Sequence, residues 1–325
     1  MVRTKKSARN PRANGPQDHT KSGSAPERNN RGKPAHKGAR TTERNTRPTE
    51  RPERNSARNP ERSSGRTPDR DSATTEQTGY GRTLKPSYAG AYFLFGRNSV
   101  EAALKNRKRE CLKLIGTEKA LSDEKITGIR PGIKIMQVDS LDDIASAVPE
   151  GAPHQGILLE VRFLPGMHIA DLKPREGRKN IILMLDQVTD PQNVGACLRS
   201  AAAFGARALI TQDRNSPRES GSLARAAAGG LEVLPWLQVP NLSQALGQLR
   251  DMGYWHVGLD GSTKMSIRDV SMGENIVIVM GSEGSGLRPL VKKTCDVIAA
   301  IPTTGAVESL NVSNAAAITL YELAK

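Results

Sequence analysis

Three short polar stretches, each directly following an apolar run, hold the residues of this chain whose types and spacing suit chemistry. The last is IPTTGAVESLNVSNAAA, Ile301 to Ala317, after the short run Val297 to Ile301. Pro302 ends that run, a loop built on Gly305 follows, and an Ala-rich helix is expected from Asn311 to Leu320. Strand, polar loop and helix start form a ligand-binding layout, because a helix N-terminus at the carboxyl edge of an α/β sheet offers unpaired backbone N–H groups. Ser309, Asn311 and Ser313 put three short polar side chains there. Read alone, Ser309 or Asn311 serves equally as an N-cap.

The first stretch, LDQVTDPQNVGACLRSAAAFGA from Leu185 to Ala206, follows IILML and leads into a helix from about Asn193 to Phe204. Asn193 by itself reads as a cap. Arg199 sits among Ala and Leu on a helix suited to burial, where an unpaired guanidinium is costly, so it calls for a carboxylate or a phosphate. The second stretch, MGSEGSGLRPL from Met280 to Leu290, carries Gly281, Gly284 and Gly286, which permit close backbone approach by a ligand. Its spacing is neither a P-loop nor a dinucleotide fingerprint. Glu283 between the glycines repels phosphate and suits a cation or a hydroxyl; a glycine-rich turn without chemistry is the competing reading.

The elements that must position these stretches alternate. Over residues 180–325, strands are expected at Ile181–Leu185, Ala208–Thr211, Leu234–Val239, Trp255–Gly258 and Asn275–Gly281, with helices around Ser222–Ala228 and Leu242–Met252 between them. Runs apolar throughout, such as Ile276 to Met280, suit parallel strands covered on both faces. A smaller α/β unit is expected over residues 88–163. Its helices are expected near Ser99–Asn106, Leu121–Ile126 and Leu141–Ala147, and its strands at Leu112–Ile115, Lys134–Val138 and Gly156–Val161. Residues 164–179, with two prolines and several charges, read as a linker.

Residues 1–87 are different in kind. Met1 to Lys85 holds 21 Lys and Arg against 9 Asp and Glu, whereas the remainder holds 27 against 25, so the net charge of +14 is concentrated in this arm. With Met1, Val2, Tyr80 and Leu84 as its only non-proline apolar side chains larger than alanine, it cannot bury a core and is expected to be disordered. A basic flexible arm adds affinity for a polyanion, RNA being the obvious one, without reading sequence. No apolar run approaches the length of roughly 18 residues needed to span a bilayer, and the first residues lack a signal peptide's apolar region. Cys111, Cys197 and Cys295 are far apart and the five histidines scattered, so neither a metal site nor a disulfide framework is indicated, and a cytoplasmic location is expected.

Taken together, DPQNVGACLRSA at Asp190–Ala201, GSEGSGL at Gly281–Leu287 and IPTTGAVESLNVSNAAAI at Ile301–Ile318 resemble the three motifs of the SpoU-type branch of the SPOUT RNA methyltransferases. The resemblance extends over roughly Tyr92 to Ala324. GRNSVEAAL at Gly96–Leu104 and HQGI at His154–Ile157 are similar to marks of the small L30e-like front domain in enzymes that methylate a guanosine ribose of 23S ribosomal RNA. The resemblance implies a deep trefoil knot, a homodimer, and S-adenosylmethionine held largely by backbone at Gly281, Ile301 and Leu310. It assigns the chemistry to Arg199, with Asn193, Glu283, Ser309 and Asn311 in support. A ribose hydroxyl is a very weak acid, so positive charge or a base must assist its attack on the methyl carbon. Because a guanidinium holds its proton tightly, electrostatic stabilisation and phosphate anchoring are the roles that suit Arg199. No metal is needed. Methylation of tRNA or another rRNA nucleotide, or a noncatalytic assembly factor, are the alternatives.

Overall fold

The computed structural model describes residues 84–271 and 273–324, so nearly all of the expected basic arm lies outside the described residues. Two sheets organise these residues. In the first, β1 (Ala91–Phe95) leads to helix α1 (Arg97–Lys105), β2 (Cys111–Thr117), the single-turn helices α2 (Glu118–Leu121) and α3 (Glu124–Thr127), β3 (Lys134–Val138), α4 (Leu141–Ala145) and β4 (Ile157–Arg162). The strand order is β1-β4-β2-β3, with β4 antiparallel to both neighbours and β2 parallel to β3. The central strand β4 is the apolar ILLEV run, and its one carboxylate, Glu160, is fully buried. Ser87 satisfies it from both its backbone N–H and its hydroxyl, and Lys113 lies 3.6 Å away. Ordered contacts therefore begin before Tyr88, since Leu84 N–H also donates to Ser146 Oγ.

α1 buries Val100, Ala103 and Leu104, the face its periodicity predicts. The single helix expected over Leu121–Ile126 is instead two four-residue turns. Thr117 caps the first and Asp123 the second, so the local side-chain caps win over helix continuation at Ser122 and Asp123.

The second sheet is built from β5 (Asn180–Asp186), β6 (Ala208–Gln212), β7 (Trp236–Val239), β8 (Trp255–Leu259), β9 (Asn275–Gly281) and β10 (Val297–Ala299). Its order is β10-β8-β9-β5-β6-β7 and every pairing is parallel. All seven residues of β5 are buried, as a central strand covered on both faces requires. The covering helices are α5 (Pro191–Ala203), α6 (Gly221–Ala227), α7 (Gly230–Val233), α8 (Leu242–Asp251), α9 (Pro289–Thr294) and α10 (Val312–Leu323). The segment read as a linker contains a 3₁₀ turn, Ile169–Leu172, whose Leu172 is buried and accepts a hydrogen bond of 2.8 Å from Tyr254 Oη.

The two halves are clasped by a buried charge network. Arg109, with no exposed side-chain surface, pairs with Glu219 and with Glu232 at 2.6 Å, and donates to Arg162 O at 2.8 Å. Tyr92 Oη donates to Glu219, and Asn106 Nδ2 donates to Glu232 at 2.8 Å. Backbone approach is equally close: a methyl on Gly221 would lie 2.4 Å from Phe93 O. α6 can meet β1 only with glycine at that position.

His256 on β8 is fully buried, and its Nε2 has no hydrogen-bond partner among the described residues. Burial, helped by nearby Arg250 and opposed by Asp296, holds its pKa below the ordinary value of 6.5. Above that value the ring is neutral in both states and adds no pH dependence. As pH falls through 6.5 the unfolded chain takes up a proton the folded ring resists, so stability declines. Thermal midpoints measured between pH 8 and pH 5.5 should fall, and fall less in His256→Gln. Identical slopes would remove His256 from the account.

Candidate active site at the carboxyl edge of the parallel sheet

In a parallel sheet all carboxyl ends share one edge, and the three polar stretches leave from it. Asp186 and Gly281 end β5 and β9 in register with each other. The loop after β5 enters α5 through Pro191, with Asp190 accepting from Gln192 N–H. Asp190, not Asn193, is therefore the cap. Asn193 stands one turn inside the helix, its carboxamide free for other work.

That carboxamide meets Asn311. Asn311 Nδ2 donates to Asn193 Oδ1 at 3.0 Å and to Glu283 Oε1 at 2.7 Å. Asn311 Oδ1 accepts from Ser313 N–H at 2.9 Å and from Ser313 Oγ at 2.6 Å, so the residue also caps α10. Glu283 Oε1 takes a second, longer hydrogen bond from Val312 N–H. The capping and site readings of Asn311 are thus compatible: one amide face holds the helix start, the other binds the first and second loops together. Asn311 and Glu283 are both exposed, so the cluster is open to a ligand.

Gly281 and Gly286 form the second loop's closure. Gly286 N–H donates to Ser282 O at 3.0 Å, and a methyl on Gly281 would lie 2.0 Å from the Gly286 carbonyl carbon. No side chain fits there. The resemblance puts S-adenosylmethionine against this turn, so Gly281→Ala is expected to open it and weaken cofactor binding by about tenfold or more in calorimetry; unchanged affinity would remove the turn from the cofactor's contacts. Ile301 and Leu310 are half-buried, Leu310 adjoining Asn311 in the chain.

Arg199 and Ser309 lie outside the hydrogen-bonded cluster. Ser309 is exposed with no hydrogen bond among the described residues. Arg199 corrects an expectation: its side chain is exposed and makes no hydrogen bond or ion pair among the described residues, so no burial cost forces a partner on it. Its apolar helix neighbours face inward instead, onto α6, where a methyl on Gly195 would lie 2.5 Å from Leu223 O. Six residues beyond Asn193, Arg199 stands about 9 Å further along α5.

One structural pair escaped the sequence reading. Asp186 is fully buried, and Arg288 holds it with Nε at 2.7 Å and backbone N–H at 3.0 Å, tying the first loop to the end of the second. The available signal was a carboxylate closing an otherwise apolar strand, which requires a partner. Among the described residues no three His, Cys, Asp or Glu side chains are grouped to hold a metal ion, and no helix is long and apolar enough to cross a membrane. Burial pushes the Cys197 thiol up to about 12, which leaves it inert at neutral pH.

Comparison with known proteins gives this geometry a family. The profile of the SpoU rRNA Methylase family matches residues 180–321, and that of the RNA 2'-O ribose methyltransferase substrate binding domain matches residues 93–166. The 23S rRNA (guanosine-2'-O-)-methyltransferase RlmB of Vibrio parahaemolyticus is 36% identical over 71% of this chain and 95% of its own length. The protein of the same name from Photobacterium profundum is 40% identical over 67% of this chain and 86% of its own. In fold, the SpoU methyltransferase AviRb from Streptomyces viridochromogenes, solved in complex with AdoMet, aligns with a TM-score of 0.63 at 22% identity, covering 73% of this chain and 90% of that one. An AdoMet-bound rRNA methyltransferase from Sinorhizobium meliloti aligns with a TM-score of 0.61 at 22% identity, over 72% and 87% of the two chains. With its three loops gathered at one sheet edge and relatives of this identity aligned over nearly their full length, the chain belongs to the SpoU rRNA methylase family.

Proposed function

We propose that this protein transfers a methyl group from S-adenosylmethionine to the ribose 2'-hydroxyl of a guanosine in 23S ribosomal RNA. The observation that carries the reading is the hydrogen-bonded convergence of Asn193, Glu283 and Asn311 from the three family motifs. Likeness to the RlmB enzymes supplies the choice of RNA. The residues present fit the cofactor: the Gly281 turn exposes backbone where no side chain can stand, Ile301 and Leu310 offer apolar surface, and the Glu283 carboxylate favours a sulfonium. When bound, the cofactor supplies an electrophilic methyl group.

The chain's own residues then have distinct tasks. Asn311 fixes Glu283 and Asn193 relative to each other, so the three loops present one geometry to the ligand. Ser309, exposed beside this cluster in sequence, is available to the ribose. Arg199 keeps its proton and stabilises the charge developing on the ribose oxygen while anchoring a neighbouring phosphate. Arg199 stands apart from the Asn193 cluster, which supports a composite site completed across a homodimer. In this reading the C-terminal segment through Ile301 and Leu310 forms the trefoil knot, the L30e-like front domain over residues 88–163 engages the RNA, the basic arm adds affinity, and the protein works in the cytoplasm.

Ribose methylation should be mapped by mass spectrometry in ribosomal RNA and tRNA from cells with and without the gene. Loss of one 2'-O-methylguanosine in 23S rRNA is the expected result. Loss in tRNA instead would overturn the target while keeping the reaction, and no loss anywhere would overturn both.

A further inference from the structure

A cleft of about 630 Å³ runs along β7, the outer strand of the parallel sheet, at the seam between the two halves. One wall comes from the end of the front half, Phe163 to Gly166, and the other from β7 and the loop before α6. Phe163 is half exposed although aromatic, and its ring stacks on Tyr92 with centroids 5.2 Å apart. Tyr92 in turn is tied through its hydroxyl to Glu219 in the buried Arg109 network. The ring is therefore a rigid platform with one face taken and the other open.

The other groups in the cleft suit a nucleotide. Lys108 and Arg218 are exposed cations whose side chains have no hydrogen bond or ion pair among the described residues. Asp213 is an opposing charge in the lining, and the carboxylates Glu219 and Glu232 share the single guanidinium of Arg109, so the two exposed cations are what offset the remaining negative charge. Gln238 spends its Nε2 on Pro217 O, which leaves its Oε1 as an acceptor for a base amino group. Trp236 holds its indole N–H on Thr211 Oγ1 at 3.0 Å and adds a second aromatic surface. The volume falls within the range of about 300–1,000 Å³ typical of small-molecule pockets. Three strand spacings, roughly 14 Å, separate β7 from β9, whose end carries the Gly281 turn.

We infer that this cleft binds an unpaired nucleotide of the RNA substrate, its base stacked on Phe163 and its phosphate held by Lys108 and Arg218. The site positions RNA that flanks the methylated nucleotide and supplies specificity from outside the reaction centre. Aromatic stacking tolerates any base, while the groove's cations follow the backbone. The inference rests on the reading of the chain as an RNA methyltransferase.

The full chain carrying Trp255→Phe retains Trp236 as its one indole. Titration with a hexa-adenylate RNA should quench its fluorescence saturably, and Phe163→Ala should weaken binding by about tenfold or more. Phe163→Leu, which keeps bulk against Tyr92 without a π face, should weaken it similarly, and Phe163→Tyr should restore it. Arg218→Ala should flatten the dependence of binding on salt. Wild-type-like titrations for both Phe163→Ala and Phe163→Leu would overturn the inference, as would displacement of the RNA by an uncharged extended peptide, which would make β7 a peptide-pairing edge. Methyl transfer to a 23S rRNA fragment by the unmodified protein is measured alongside. Transfer with unaffected Phe163 variants sinks the cleft alone, whereas absent transfer sinks the reading beneath it.

Discussion

Arg199→Ala is expected to lower the methyl-transfer rate by about two to three orders of magnitude, the usual loss when one preorganised charge-stabilising donor is removed. The same substitution should leave the melting temperature nearly unchanged. Both halves of that expectation come from exposure: the guanidinium touches no charged or polar partner among the described residues, so its removal strands nothing. Exposed helix positions away from caps and networks change stability by less than about 0.5 kcal/mol. On the proposed reading, an arginine that is structurally idle and shares α5 with Asn193 has its value in the reaction. Arg199→Lys should recover little, because a point charge does not reproduce the planar fork that grips an oxyanion and a phosphate together. Single-turnover methylation with each variant measures this, and a rate within threefold of the parent protein would remove Arg199 from the mechanism.

Arg109→Ala should produce the largest loss of stability. Among the described residues it deletes the one cation that pairs with Glu219 and Glu232, which are 11% and 3% exposed. Breaking a buried ion pair from one side costs about 3–5 kcal/mol, because the remaining charge has lost both water and partner. For a domain of this size each kcal/mol lowers the midpoint by about 2–4 °C, so a fall of roughly 10 °C is expected. The triple variant Arg109→Met, Glu219→Gln, Glu232→Gln removes the charges together and should recover much of the loss. A single variant that melts with the parent protein would show the network to be solvated. Burial and Glu219 both raise the Tyr92 pKa, so its phenol stays neutral and adds no further negative charge to the network.

The two expectations divide along what sequence can convey. β5 and β9 were legible because NIILMLD and NIVIVMG are apolar on both faces, a pattern that central parallel strands share with little else. The meeting of Asn193, Glu283 and Asn311 was legible as a family pattern, but their hydrogen bonds depend on loop ends 28 and 118 residues apart and are invisible to periodicity. Arg199 was misplaced because Ala and Leu flank it in sequence, whereas the buried face of α5 runs through Val194, Cys197, Leu198 and Ala201, and position 199 falls off that face. α7 and α9 were missed because four- and six-residue helices lack enough turns to establish a period. The Arg109 clasp was illegible for another reason. Arg109 lies in a run of surface-like charges, KNRKRE, and only the packing of the two halves distinguishes it from Arg107 and Lys108.

The order of strands also bears on how the protein is made. β9 lies beside β5 in the middle of the sheet, yet it is separated from β5 along the chain by β6, β7 and β8, and α10 follows them all. Parallel pairings across such separations form slowly, since chain must be closed into large loops before contacts reward it. During synthesis, β5 and β6 emerge with an apolar edge waiting for a partner translated roughly 90 residues later. The nascent chain therefore has a window of exposure to aggregation or chaperone capture. Asn311 and α10 follow all six strands of the parallel sheet in the chain, so the hydrogen bonds that join Asn311 to Asn193 and Glu283 can close only after every strand of that sheet has been synthesised.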